Sequence, residues 1–190
     1  MAEKLLRIVA GPNGAGKSTL ASLFFGKLEL LRYINADVIA RGIDLTISRD
    51  SNIVAGRVML ESIHEALREG HSFSFETTMS GKIWAPLIKN AISLNYRVEL
   101  LFVYLQSPEM CLRRIEDRVR SGGHNIPEET VRRRYQRSLA MFAGTYSSLI
   151  PNWYLFDNSN GAALVIAQKE EGEVSIADMA RYDIIKSYAN

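Results

Sequence analysis

Cysteine is almost absent from this chain: Cys111 is the one example in 190 residues. That excludes an internal disulfide and a cysteine-rich zinc site, and its setting between Met110 and Leu112 predicts a small buried side chain. Only three histidines occur, and neither His64 nor His71 stands among other metal-ligating residue types, so both are expected to be ordinary helix and loop residues. His124, in a glycine-rich loop, is expected to be a loop residue rather than an acid or base. No apolar run approaches the roughly 20 residues that cross a bilayer, and Leu5 to Ala10 is too short for a signal peptide. Charge of one sign is lacking too. Lys plus Arg number 23 against 21 Asp plus Glu, a net charge of +2 that is too slight to imply nucleic acid or membrane as partner. Repeats and low-complexity tracts are missing, so the expectation is one cytoplasmic domain over residues 1–190.

What is present begins with Gly11-Pro12-Asn13-Gly14-Ala15-Gly16-Lys17-Ser18-Thr19, which fits G-x-x-x-x-G-K-[ST]. The apolar strand Leu5 to Ala10 precedes it and the helix-forming run Leu20 to Phe25 follows. Glycines let the backbone curl its N–H groups around one anion, and the helix start adds the positive end of its dipole. Lys17 is expected to reach the β- and γ-phosphates of a nucleotide, Ser18 to hold Mg²⁺, and Thr19 to cap or pack the first turn. The wording of this loop is shared with ABC transporters. The apolar strand Tyr96 to Leu105, however, ends without a paired Asp-Glu, and neither L-S-G-G-Q nor the guanine-reading N-K-x-D occurs.

Four further sets of residues fall where ligands are expected. Asp37 follows the short strand Leu31 to Asn35, the place where open α/β sheets put ligand-binding groups, and it is the candidate general base; capping of the next helical turn explains an Asp there as well. Glu76 ends the alternating strand Ser72 to Glu76 and is a candidate to bind substrate or a water on Mg²⁺, and Thr77 and Thr78 after it are candidates to bind phosphate or substrate hydroxyls. Asp50 or Ser51 is expected to cap a helix ending at Gly70, after an irregular stretch from Gly42 to Asp50. Around Ser121-Gly122-Gly123-His124-Asn125-Ile126-Pro127 stand eight arginines, and helix, glycine hinge and helix make a lid of about 113–137. Arg120 with Arg133 or Arg134 are the expected transition-state contacts, since guanidinium groups suit the spread charge of a phosphoryl group in transfer. Asn158, or its neighbour Asp157, ends the strand Trp153 to Phe156 and is the candidate adenine contact. Residues of about 161–190 read as a hairpin and helix extension.

Strand and helix alternation after a phosphate loop predicts an α/β fold of P-loop NTPase type, a doubly wound parallel sheet of about five strands. Taken in order, Gly11 to Thr19, Ile34-Asn35-Ala36-Asp37, Phe75-Glu76-Thr77-Thr78, the arginine-flanked Gly122-Gly123 loop and Phe156-Asp157-Asn158 resemble the zeta toxin family. The resemblance implies a kinase-like fold, ATP- and Mg²⁺-dependent phosphorylation of a hydroxyl, UDP-N-acetylglucosamine as a first candidate acceptor, and an antitoxin as a possible protein partner. It would make Asp37 the base, Lys17 and Ser18 the triphosphate and Mg²⁺ ligands, and the lid arginines the clamp. Two departures stand out: well-studied toxins carry two acids around the second strand end, whereas this chain has Asn35 before Asp37, and those toxins are longer. The alternative reading is a nucleotide-dependent switch that binds ATP and phosphorylates nothing. Acids at two strand ends favour the kinase, because a switch needs no base there.

Overall fold

The computed structural model describes residues 3–25, 31–41, 51–123 and 125–189; the side chains at 25, 37, 40, 41, 51 and 52 lie outside that description. His124, the stretch Gly42 to Asp50 and the Asp50 cap are therefore outside the described residues.

The centre of the fold is β1 (Lys4–Ala10), an apolar strand whose Leu6, Ile8, Val9 and Ala10 are fully buried. Both of its faces must be covered, as a near-continuous apolar run in a parallel sheet requires. It pairs in parallel with β3 (Phe73–Thr77) on one side and β4 (Tyr96–Tyr104) on the other. β2 (Arg32–Asn35) lies outside β3, and β5 (Asn152–Asp157) outside β4, all parallel. The chain leaves β1 for β2 on one side, returns through β3, and continues to β4 on the other side. β1 is thus the switch point of the sheet, and the crevice beyond its carboxyl end is where such folds take ligands.

The sheet has seven strands rather than five. β6 (Leu164–Glu170) and β7 (Glu173–Ile176) extend it antiparallel beyond β5, in the order β2-β3-β1-β4-β5-β6-β7. Glu171 and Gly172 join them with φ of 50° and 92°, the two positive values of a tight hairpin. The hairpin of the C-terminal extension is therefore part of the central sheet.

Helices cover both faces. α1 (Lys17–Phe25), α2 (Ala36–Arg41), α3 (Ser51–Glu69) and α4 (Trp84–Ser93) follow in chain order, α4 turning Trp84, Leu87, Ile88 and Ala91 inward. α5 (Pro108–Arg120) is capped by Ser107, whose hydroxyl accepts the Met110 N–H. α6 (Glu128–Met141) starts after Pro127, runs into a π-helical turn at Phe142–Tyr146 and ends in α7 (Ser147–Leu149). The three-and-four spacing of Val131, Tyr135, Leu139, Phe142, Tyr146 and Leu149 predicts a buried stripe; the first five are buried and Leu149 is half-buried. Cys111 is fully buried. α8 (Met179–Lys186) closes the described chain apart from one short turn. Among the described residues no helix is long and apolar enough to cross a membrane.

Several tyrosines are buried with their hydroxyls on backbone carbonyls: Tyr135 on Leu105 and Tyr146 on Gly81. Burial pushes the phenols of Tyr146 and Tyr104 up to about 12, from an ordinary value of 10.0. A raised folded-state value means stability that is complete below pH 10 and is lost as pH rises toward 12. Circular dichroism across that range should show alkaline unfolding, and Tyr146→Phe should shift the midpoint upward; an unchanged midpoint would remove Tyr146 from the transition.

Candidate active site

The loop between β1 and α1 lies at the switch point. Gly14 approaches α5 so closely that a Cβ there would stand 2.6 Å from the Cys111 carbonyl oxygen. Gly16 has φ +86°, and a Cβ on it would stand 2.5 Å from Nδ2 of Asn158. Only glycine meets both demands at Gly16. Asn158 holds the loop from below by donating from Nδ2 to the Ala15 carbonyl at 2.9 Å. Arg114 reaches the same carbonyl at 3.4 Å and donates to the carbonyl of Asn158 as well. The structure therefore gives Asn158 a place under the phosphate loop.

Lys17 is buried, 7% exposed, and donates to the Pro12 carbonyl at 3.0 Å. Its Nζ is 3.7 Å from Oε1 of Glu76. The other carboxylate oxygen of Glu76 accepts two hydroxyl protons, from Ser18 at 2.6 Å and from Tyr33 at 2.8 Å. Parallel pairing produces this meeting: Glu76 stands opposite Val9, the last residue but one of β1, and Asn35, the last residue of β2. Burial, reinforced by the Glu76 carboxylate, pushes the Tyr33 phenol above its usual range, so the proton stays on Tyr33.

Asn35 precedes α2, and its Oδ1 accepts the Val38 N–H at 3.4 Å, a capping contact. Asp37 is the second residue of α2, directly past the end of β2, and its side chain lies outside the described residues. Thr77 accepts the Met79 N–H at 3.0 Å, and Thr78 Oγ1 is 3.1 Å from the Ser80 hydroxyl. Ser138 of α6 donates to the Thr78 carbonyl, tying the second arm of the arginine-rich hairpin to the loop after Glu76.

Gly14, Gly16, Lys17, Ser18 and Thr19 line a cleft of about 480 Å³ with Glu76, Arg114, Arg118 and Asn158. The expected arginines are not among its lining. Arg120 is exposed and paired with Asp117 at 3.3 Å, and Arg133 is exposed with Glu129 at 3.9 Å. Arg134, half-buried on α6, does not line the cleft either. The reason is helical phase. Cys111, Arg114 and Arg118 follow one another at three and four residues and share the face that meets the loop, whereas Arg120 is turned half-way round from that face. Arg132 is taken up by Glu128 and Glu109, at 2.8 and 2.6 Å. Asp157 is buried and held by Gln106, by Ser159 and by Arg181 of α8 at 3.2 Å, a structural knot rather than a base contact.

The donors present suit Mg²⁺. Ser18 and Glu76 offer a hydroxyl and a carboxylate side by side, the hard oxygens that Mg²⁺ takes alongside phosphate oxygens and water. Among the described residues no cluster of three His, Cys, Asp or Glu competes as a metal site.

Comparisons with known proteins bear on the family and the fold. The zeta toxin family model matches residues 2–170. An uncharacterized protein of Haemophilus influenzae is 36% identical over 125 residues, covering 66% of this chain and 88% of that protein. Of solved structures, the AvrRxo1-ORF1:-ORF2 assembly with ATP superposes with TM-score 0.78 at 17% identity over 100% of this chain; the chain spans 65% of that one's length. The Streptococcus pneumoniae PezAT chromosomal toxin-antitoxin system matches at TM-score 0.59 and 13% identity, covering 100% of this chain and 87% of that one. Shikimate kinase from Acinetobacter baumannii, in complex with shikimate, matches at 0.51 and 16%, covering 84% and 86%. At these identities the solved structures speak for the fold, a P-loop kinase-like α/β architecture with a mostly parallel sheet.

Gly16→Ala tests the loop. The strained φ and the 2.5 Å approach to Asn158 should cost at least about tenfold in ATP affinity by titration calorimetry, more than 1.4 kcal/mol. Native affinity would mean that the loop re-forms without the glycine.

Proposed function

The chain belongs to the zeta toxin family, and on that premise we propose that it is an ATP- and Mg²⁺-dependent phosphotransferase acting on a hydroxyl of a small metabolite. UDP-N-acetylglucosamine is the first candidate acceptor. The observation that carries the reading is the cluster of Lys17, Ser18 and Glu76 at the sheet's switch point. The family, and kinase-like neighbours that include a structure with ATP, support the coarser statement of an ATP-dependent phosphotransferase.

The loop N–H groups and Lys17 bind the triphosphate, for which Lys17 exchanges the Glu76 carboxylate for phosphate oxygens. Ser18 and Glu76 hold Mg²⁺, which supplies neutralisation of phosphate charge when bound. Arg118 lines the cleft one turn further along the same face as Arg114 and is the candidate for the phosphoryl group in transfer. Asp37, at the carboxyl end of β2, is the general base that takes the acceptor's hydroxyl proton. Thr77 and Thr78 contribute to the acceptor side. An antitoxin partner is part of this proposal, by analogy with the toxin-antitoxin neighbour.

A phosphorus NMR screen of hydroxyl acceptors with ATP tests the assignment, with UDP-N-acetylglucosamine first in the panel. Asp37→Asn should retain ATP binding and lose transfer by about 10² to 10⁴; undiminished transfer would remove Asp37 from the mechanism. Arg118→Ala should lower turnover at least about tenfold, while Arg120→Ala and Arg133→Ala stay within about twofold. The opposite ordering would mean that the hairpin must close before the arginines engage. Tight, substrate-independent retention of nucleotide with no acceptor in the panel would favour the switch.

A further inference from the structure

Glu76 is not aimed by its own backbone alone. Its Oε2 receives Ser18, the metal-site hydroxyl, and Tyr33, which reaches across from the neighbouring strand β2. Tyr33 in turn receives a hydrogen bond from Nδ2 of Asn35, two residues on and on the same face of β2, at 2.9 Å. The direction of that bond is fixed locally. Asn35 Oδ1 is turned to the Val38 N–H at the start of α2, which leaves Nδ2 toward the phenol oxygen. A phenol whose oxygen accepts from Asn35 has its single proton free for Glu76, so the chain of donors runs one way, Asn35 to Tyr33 to Glu76. A carboxylate at position 35 would accept where the amide donates. It would draw the Tyr33 proton to itself and leave Glu76 one donor short.

We propose that Tyr33 and Asn35 are positioning residues that hold the Glu76 carboxylate over Ser18 for a divalent cation. The Asn at position 35 sets the direction of the relay. The inference rests on the phosphotransferase reading, because the cation is the one that accompanies ATP. Removing one oxygen in Tyr33→Phe leaves the β2–β3 pairing and the packing of the ring in place, while Asn35→Asp keeps an N-cap for α2. Either change frees the carboxylate to turn without removing it.

The experiment uses the whole chain with Mn²⁺ as probe, read by electron paramagnetic resonance in the presence of a non-hydrolysable ATP analogue and compared with the analogue alone. A second measurement takes analogue affinity in the presence of a chelator. Tyr33→Phe and Asn35→Asp should each weaken Mn²⁺ binding by about tenfold, the scale of losing an outer-shell partner, with metal-free analogue affinity unchanged. Glu76→Gln serves as the reference for losing the carboxylate itself. Mn²⁺ affinity that falls in Glu76→Gln but stays native in both other variants overturns the relay and leaves the phosphotransferase reading standing. A fall in metal-free analogue affinity equal to the fall in Mn²⁺ affinity also overturns it, since that is the signature of a merely structural role. If the unaltered protein gains no Mn²⁺ site over the analogue alone, the phosphotransferase reading falls with the relay.

Discussion

A buried ammonium must have a partner, and Lys17 is the group around which this molecule is settled. With its side chain almost out of contact with water, the charge is offset by the Pro12 carbonyl and by Glu76, the latter supplied by a different strand. That requirement fixes more than one contact. Glu76 meets Lys17 and Ser18 because β3 pairs in parallel with β1 at one register, and a slip by one residue would turn the carboxylate to the other face of the sheet. Strand order, register and the phosphate loop are therefore one constraint seen from three sides. The same carboxylate also accepts from Ser18, so the loop lysine and the loop hydroxyl share one partner.

Much of this was legible because it is local. The loop, the strand before it and the helix after it are contiguous, and Asp37 and Glu76 could be located at strand ends from periodicity alone. The arginines that line the cleft are not the ones expected from the sequence, although a signal for them was available. Cys111 reads as buried, and counting three and seven residues on from it gives Arg114 and Arg118, on the face toward the core, whereas nine residues on gives Arg120, on the opposite side. Proximity to the glycine hinge was the weaker guide, since it says nothing of which way a helix faces.

Other features need the third dimension. Tyr33 and Asn35 sit in a four-residue strand, and nothing about a tyrosine there announces a carboxylate on the next strand. The hairpin of β6 and β7 was visible as a hairpin, but not as part of the sheet. Its turn is Glu171-Gly172, with a glutamate in the left-handed region where Asn or Asp is the usual marker. Its register against β5 also depends on long-range pairing that alternation cannot assign. Lys169 shows what the pairing gains. From β6 it donates to the carbonyls of Ser147, Ser148 and Ile150, closing the end of α7 that has no helical partner of its own.

Helix α8 is tied to the end of β5 by the same kind of contact. Arg181 of α8 meets Asp157, which is 2% exposed and also receives Gln106 and Ser159. Removing one member of a buried pair typically costs about 3–5 kcal/mol, and the partial exposure of Arg181 places this pair toward the lower end. Asp157 is followed by Asn158, whose amide fixes the Ala15 carbonyl and whose own carbonyl holds Arg114. Two consecutive residues at the end of β5 thus face opposite ways, Asp157 toward Arg181 of α8 and Asn158 toward the phosphate loop.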